Sequence, residues 1–174
     1  MKTFKMFLLG CTAMLCLAAS ALAAEKVAVK ESVSPDYGPE GRKFGAGIIL
    51  GDPTGFTAKG FLSPKMAIDA MASWSFTEEA FLIIGDLTYE FAQIPVRSSS
   101  LTLPFYAGAG GKIGFDRGGR NNGRTVGGIR IPLGIAAQFT HQPIEVFVEV
   151  APGMEVAPST TTDVTGGVGA RFYF

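Results

Sequence analysis

The chain has 174 residues, with 15 Lys and Arg against 15 Asp and Glu, one His and two Cys. Zero net charge removes the basic excess that a nucleic-acid binder carries, and so few His and Cys leave little for a zinc site. The length suits one domain, and a charged fraction of 17% is low against the ~25% usual for soluble domains.

The first residues read as an export signal. Lys2 and Lys5 give a positive start, Met6 to Leu17 is apolar, and Ala18 to Ala23 is mostly small. Ala21-Leu22-Ala23 fits the small-x-small cleavage pattern, which makes residues 1–23 a cleaved secretory signal peptide. Two other readings stay beside it: an uncleaved anchor over Met6 to Ala24, and a lipoprotein box at Leu8-Leu9-Gly10-Cys11. Small residues at the end of the apolar run favour cleavage, and the stretch ahead of Cys11 is very short. Cleavage removes both Cys11 and Cys16, so the exported chain holds its fold without disulfides.

Residues 24–43, with Ser34-Pro35-Asp36 and Gly38-Pro39-Glu40-Gly41, form a polar leader rich in turn formers. From Phe44 onward hydrophobicity alternates with period two, which predicts strands with unlike faces. Eight are expected, near 44–51, 55–62, 66–77, 80–92, 101–115, 124–139, 143–156 and 164–174. In the last, Val164, Val168, Ala170, Phe172 and Phe174 share one face, while Thr165, Gly167, Gly169, Arg171 and Tyr173 share the other. The sixth sets Ile129, Ile131, Leu133 and Ile135 against Arg130, Pro132, Gly134 and Gln138. One face is apolar throughout; the other is small, polar or charged. The expected fold is all-β, an eight-stranded antiparallel up-and-down transmembrane β-barrel spanning 44–174.

Alternation alone does not say which face is inside. A soluble lipocalin-like barrel would turn the apolar face inward around a ligand, and a membrane barrel would turn it toward lipid. The polar face favours the membrane, because it is mainly Gly, Ala, Ser and Thr with scattered charges and suits a tight lumen. Trp74, Phe76, Phe91, Phe115, Phe139 and Phe172 stand toward strand ends, where interfacial girdles sit. Turns at 63–65 and 140–142 are tight, whereas 116–123 and 157–163 are longer on the opposite rim; the short 52–54 link departs from that asymmetry. An even strand number returns the chain to its starting side, and closure leaves no edge for lipid to satisfy.

The terminus Val168-Gly169-Ala170-Arg171-Phe172-Tyr173-Phe174 resembles the C-terminal signal of bacterial outer-membrane proteins. That resemblance implies insertion by the barrel-assembly machinery, with Phe172 and Phe174 as the assembly signal. The region 44–174 resembles small eight-stranded barrels of the OmpA/OmpX type. Gly51-Asp52-Pro53-Thr54-Gly55, Trp74-Ser75-Phe76, Glu149-Val150-Ala151-Pro152 and the Gly-rich last strand are similar to a family of small outer-membrane barrels with no established reaction. The resemblance implies a monomer in the bacterial outer membrane, in contact with its lipid.

Nine charges fall on the polar face: Lys59, Asp69, Asp86, Glu90, Lys112, Arg130, Glu145, Glu149 and Arg171. Eight strands enclose little more than their own side chains, so these four basic and five acidic groups are expected to interlock as a lumen ion-pair network. A narrow ion or small-solute channel is the functional alternative. Arg117, Arg120 and Arg124 cluster in one loop, a candidate contact for an extracellular anionic ligand or lipid phosphate.

Catalysis finds little footing. Lipid A-modifying barrels are similar in size, but acyl chemistry ordinarily needs a histidine base, and the sole candidate, His141, lies in a turn. Gly108-Ala109-Gly110-Gly111-Lys112 lacks phosphate-loop spacing, and Asp52-Pro53-Thr54-Gly55 reads as a turn rather than a metal site. No cofactor, metal or nucleic acid is expected, and the role is structural or surface-interactive.

Overall fold

The computed structural model describes residues 37–75, 80–96, 100–116 and 125–174. The signal peptide, most of the leader, Phe76 and the Arg117, Arg120 and Arg124 loop lie outside the described residues. Nine strand segments follow a short 3-10 turn at Pro39–Gly41: β1 (Phe44–Asp52), β2 (Thr54–Phe61), β3 (Met66–Ser75), β4 (Ala80–Ile94), β5 (Leu101–Asp116), β6 (Thr125–Arg130), β7 (Leu133–Phe139), β8 (Ile144–Ala157) and β9 (Thr161–Tyr173).

Every pairing is antiparallel, consecutive segments pair except β6 with β7, β5 also pairs β7 and β6 pairs β8, and β1 closes on β9, from Gly45 opposite Tyr173 to Asp52 opposite Gly166. β6 and β7 both lie between β5 and β8, and together they make one stave. The ring is therefore an eight-stranded closed barrel. The expected sixth strand is interrupted at Ile131-Pro132 because proline has no N–H to give the ladder. The register nevertheless runs straight through: Gly108 N donates to Pro132 O at 2.9 Å, and Ile131 N donates to Pro152 O at 2.9 Å. The last strand begins at Thr161, three residues before its expected start, and so carries Asp163 into the wall.

The two faces separate as the period predicts. Ile48, Leu50, Phe56, Ile68, Ile83, Leu87, Ile113, Ile129, Val148 and Val168 point outward and are exposed, Phe56 by 73%. Lys59, Asp69, Asp86, Lys112, Arg130, Glu145, Glu149 and Arg171 point inward and are buried. Inside, Ile49, Met71, Leu82, Ile84, Tyr106, Ala136 and Phe147 pack as an apolar cluster. Phe61, Ala67 and Tyr173 form a second cluster with Tyr37 against it, at the rim where the N-terminal strand begins.

Glycine supplies the room that these interior side chains need. Lys59 stands opposite Gly45, Arg171 opposite Gly47, Arg130 opposite Gly110 and Gly153, Lys112 opposite Gly128, and Glu149 opposite Gly134 and Gly167. At Gly169 a Cβ would overlap the Phe147 ring. Gly169→Val should therefore cost about 1–3 kcal/mol of stability in urea unfolding of the refolded protein. Trimming the ring in the same chain, Phe147→Leu, should restore part of it.

Candidate functional site

The lumen holds the chain's densest chemistry. Glu145, the second residue of β8, stands directly opposite Arg171 on β9 and Gln138 on β7. Arg171 Nη1 donates to Glu145 Oε1 at 2.8 Å, and Tyr173 Oη donates to Oε2 at 3.1 Å. Oε2 also accepts from Gln138 Nε2 at 3.0 Å and from Lys59 Nζ at 3.4 Å. Glu145 is 0% exposed, so all its compensation comes from these donors.

Arg171 is the second hub. Its Nη2 lies 2.7 Å from Asp69 Oδ1 and donates to Thr57 Oγ1 at 2.8 Å, while its guanidinium sits 4.0 Å from the centre of the Phe147 ring. Asp69 Oδ2 accepts from Thr88 Oγ1 at 2.9 Å. Lys59 continues to Glu90 Oε1 at 3.6 Å, which also accepts from Gln138 Nε2 at 2.9 Å. A planar fork suits Arg171 to two carboxylates and a hydroxyl at once, which a lysine could not serve in this geometry.

A second group forms around Arg130. Its Nη2 pairs with Glu149 Oε1, whose other oxygen accepts from Tyr106 Oη at 2.9 Å. Arg130 Nε approaches Asp86 Oδ2 at 3.4 Å without hydrogen-bond geometry, and neither oxygen of buried Asp86 has a hydrogen-bond partner among the described residues. Asp86 also stands directly opposite Asp69, a like-charge cross-strand pair.

Lys112 forms the third group, toward the far rim. It donates to Asp163 Oδ2 at 2.7 Å and lies 3.8 Å from Glu155 Oε1. These two acids were missing from the nine charges expected on the polar face. With them the described lumen has seven carboxylates, Asp69, Asp86, Glu90, Glu145, Glu149, Glu155 and Asp163, against four basic groups. The near balance read from the sequence gives way to an acidic excess. Reading Asp163 as part of a loop hid it; Glu155 shares the period-two face of Glu145 and Glu149 and was legible there.

Other residues missed in the sequence are Tyr106, Tyr173, Thr57, Thr88 and Gln138, each satisfying a charged group. Their signal was present, since every one lies on the polar face. Phe172 and Phe174 point outward and are exposed, and Phe174 N donates to Phe44 O at 2.9 Å across the closing seam. His141 is exposed in the turn after β7. In the β1–β2 link, Thr54 Oγ1 donates to Gly51 O at 2.8 Å, a turn contact.

With a closed eight-stranded ring and a charged, packed interior established, the family match can be placed. Its model covers residues 39–174. The chain belongs to the family described as Protein of unknown function (DUF3996). Its structure is similar to the N-terminal β-barrel domain of Pseudomonas aeruginosa OprF, with a TM-score of 0.57 and 13% identity, covering 76% of this chain and 98% of that one. At that identity the likeness concerns the fold. No curated protein matches the chain.

The network makes a specific demand on Arg171. Arg171→Met removes the cation from two buried carboxylates and should cost about 3–5 kcal/mol in equilibrium unfolding. Adding Asp69→Asn and Glu145→Gln should recover much of that loss, because the stranded charges go with their partner.

Proposed function

We propose that the protein is an integral outer-membrane barrel with a side-chain-filled lumen, exported by a cleaved signal peptide, with a structural or surface-interaction role and no catalysis. One observation carries this reading. The apolar residues surround the outside of a closed ring, and the charges are buried inside it. In water such a belt would far exceed the few hundred Å² of contiguous apolar surface that soluble monomers tolerate. In lipid it is the required surface, and the closed ladder leaves no unpaired edge along the staves.

In this arrangement the rim with the 62–65 and 140–143 turns faces the periplasm, and the opposite rim faces outward. The barrel is a monomer inserted by the assembly machinery through a terminus ending in Phe172 and Phe174. Arg117, Arg120 and Arg124 are its candidate contacts for anionic lipid headgroups or an extracellular anionic ligand. The exposed turn position of His141 supports the absence of acyl chemistry from this reading.

Spin labels at Ile131, Val146 and Val168 in the reconstituted protein test the membrane assignment. Collisional broadening by oxygen, with protection from a water-soluble relaxer, is the expected result. Strong contact with the water-soluble relaxer would replace the membrane barrel with a soluble carrier.

The acidic excess in the lumen favours one second reading, a narrow cation path. Planar-bilayer recordings of pure refolded protein separate the two. A silent bilayer is expected for the filled barrel, and stable unitary conductance selective for cations would establish the path instead.

A further inference from the structure

The last residues of the leader do not trail away from the barrel. Tyr37 packs on a composite surface made by Phe61 of β2, Ala67 of β3 and Tyr173 of β9. Phe61 and Tyr173 themselves meet with ring centres 6.1 Å apart. Pro39 is fully buried, and the turn it begins lines, with Thr102, Gln138 and Phe139, a cavity of about 210 Å³ at the mouth. Arg42 Nη1 donates to Tyr173 O at 3.2 Å and Nη2 pairs with Glu40 at 2.9 Å. Lys43 Nζ lies 4.9 Å from the centre of the Tyr37 ring. The path needs left-handed backbone at Gly38 (φ 74°), Glu40 (φ 53°) and Gly41 (φ 74°), the middle one without the freedom of glycine.

The placement of these contacts is what matters. The seam between β1 and β9 joins the first and last strands, so it is the pairing of greatest sequence separation and closes the ring. Phe61 and Ala67 lie on one side of that seam and Tyr173 on the other. The surface that receives Tyr37 and the carbonyl that receives Arg42 are therefore brought together only when the ring is shut.

We propose that residues 37–43 are a latch on the β1–β9 seam, docking after the barrel closes and holding it closed at the mouth. The latch adds no strand. It spans the junction from inside the mouth, where Tyr37 and Arg42 tie the last strand to the second and third. Interactions that form after the rate-limiting closure slow unfolding and leave folding almost untouched.

The test uses the full mature chain refolded into lipid vesicles, with folding and unfolding followed by heat-modifiable gel migration and by the fluorescence of Trp74. Tyr37→Ala with Arg42→Ala should raise the unfolding rate in urea about five- to tenfold and change the folding rate by less than twofold. His141→Ala, in the exposed turn of the same mouth, should change neither. Amide exchange should rise at Gly45, Gly47, Arg171 and Tyr173 in the double variant, with β3 and β4 unchanged. An unaltered unfolding rate would overturn the latch. So would a folding rate that falls in proportion, because the segment would then act before closure, and so would a double variant that cannot close at all.

Discussion

Glu145 accepts from Arg171, Lys59, Gln138 and Tyr173, and through those four donors it ties β8 to β9, β2 and β7. Arg171 reaches as many staves, joining β9 to β8, β3 and β2. A ring of eight strands has no second sheet to pack against, so its only core is its own lumen. An ion with no access to water must be matched there by fixed donors, and those donors must come from across the ring as well as from the adjacent strand. The convergence on Glu145 explains why the polar face contains tyrosine, threonine and glutamine beside its charges. They complete the hydrogen bonding that ion pairing alone leaves open.

Sequence and structure agree best where the physics is local. Alternation with period two is a property of the strand itself, so the eight strands and the membership of each face are legible from Phe44 onward. The pairings across the lumen are not. Lys59 stands beside Asp69 in the sheet register yet places its ammonium near Glu145 and Glu90, because a long flexible stem inside a narrow ring reaches beyond its nearest neighbour. The break at Pro132 was visible as a residue that cannot donate, but its consequence was not, since carbonyls of Pro132 and Pro152 carry the register across it. Asp163 reads as a loop residue because Thr161-Thr162-Asp163 lacks an apolar member, and alternation is silent in such a stretch.

The leader shows a different limit. Gly38-Pro39-Glu40-Gly41 announces turns, and turns are read from sequence as solvent-facing punctuation. Here the same residues bury Pro39 and bring Tyr37 onto Phe61, because the mouth of a closed barrel offers an apolar surface that no single strand possesses. Local chemistry specified the bend. Only the assembled ring specified what the bend packs against.

Matching of charge is uneven within the packed lumen. The network around Glu145 and Arg171 fixes the staves against one another, but a carboxylate excess is left over around Asp86, whose oxygens accept no hydrogen bond among the described residues. That residue adds little to the stability of a packed lumen, since replacing a buried charge by an apolar side chain of similar volume is often neutral or stabilising. Asp86 faces Asp69 across β3 and β4 and, among the described residues, shares its close cation, Arg130, with Glu149. Asp86 is thus the carboxylate of the described lumen with both buried oxygens left without a hydrogen bond. How well a lumen carboxylate is matched therefore depends on how many staves present donors to it: among the described residues four groups from three staves converge on Glu145, and one guanidinium approaches Asp86.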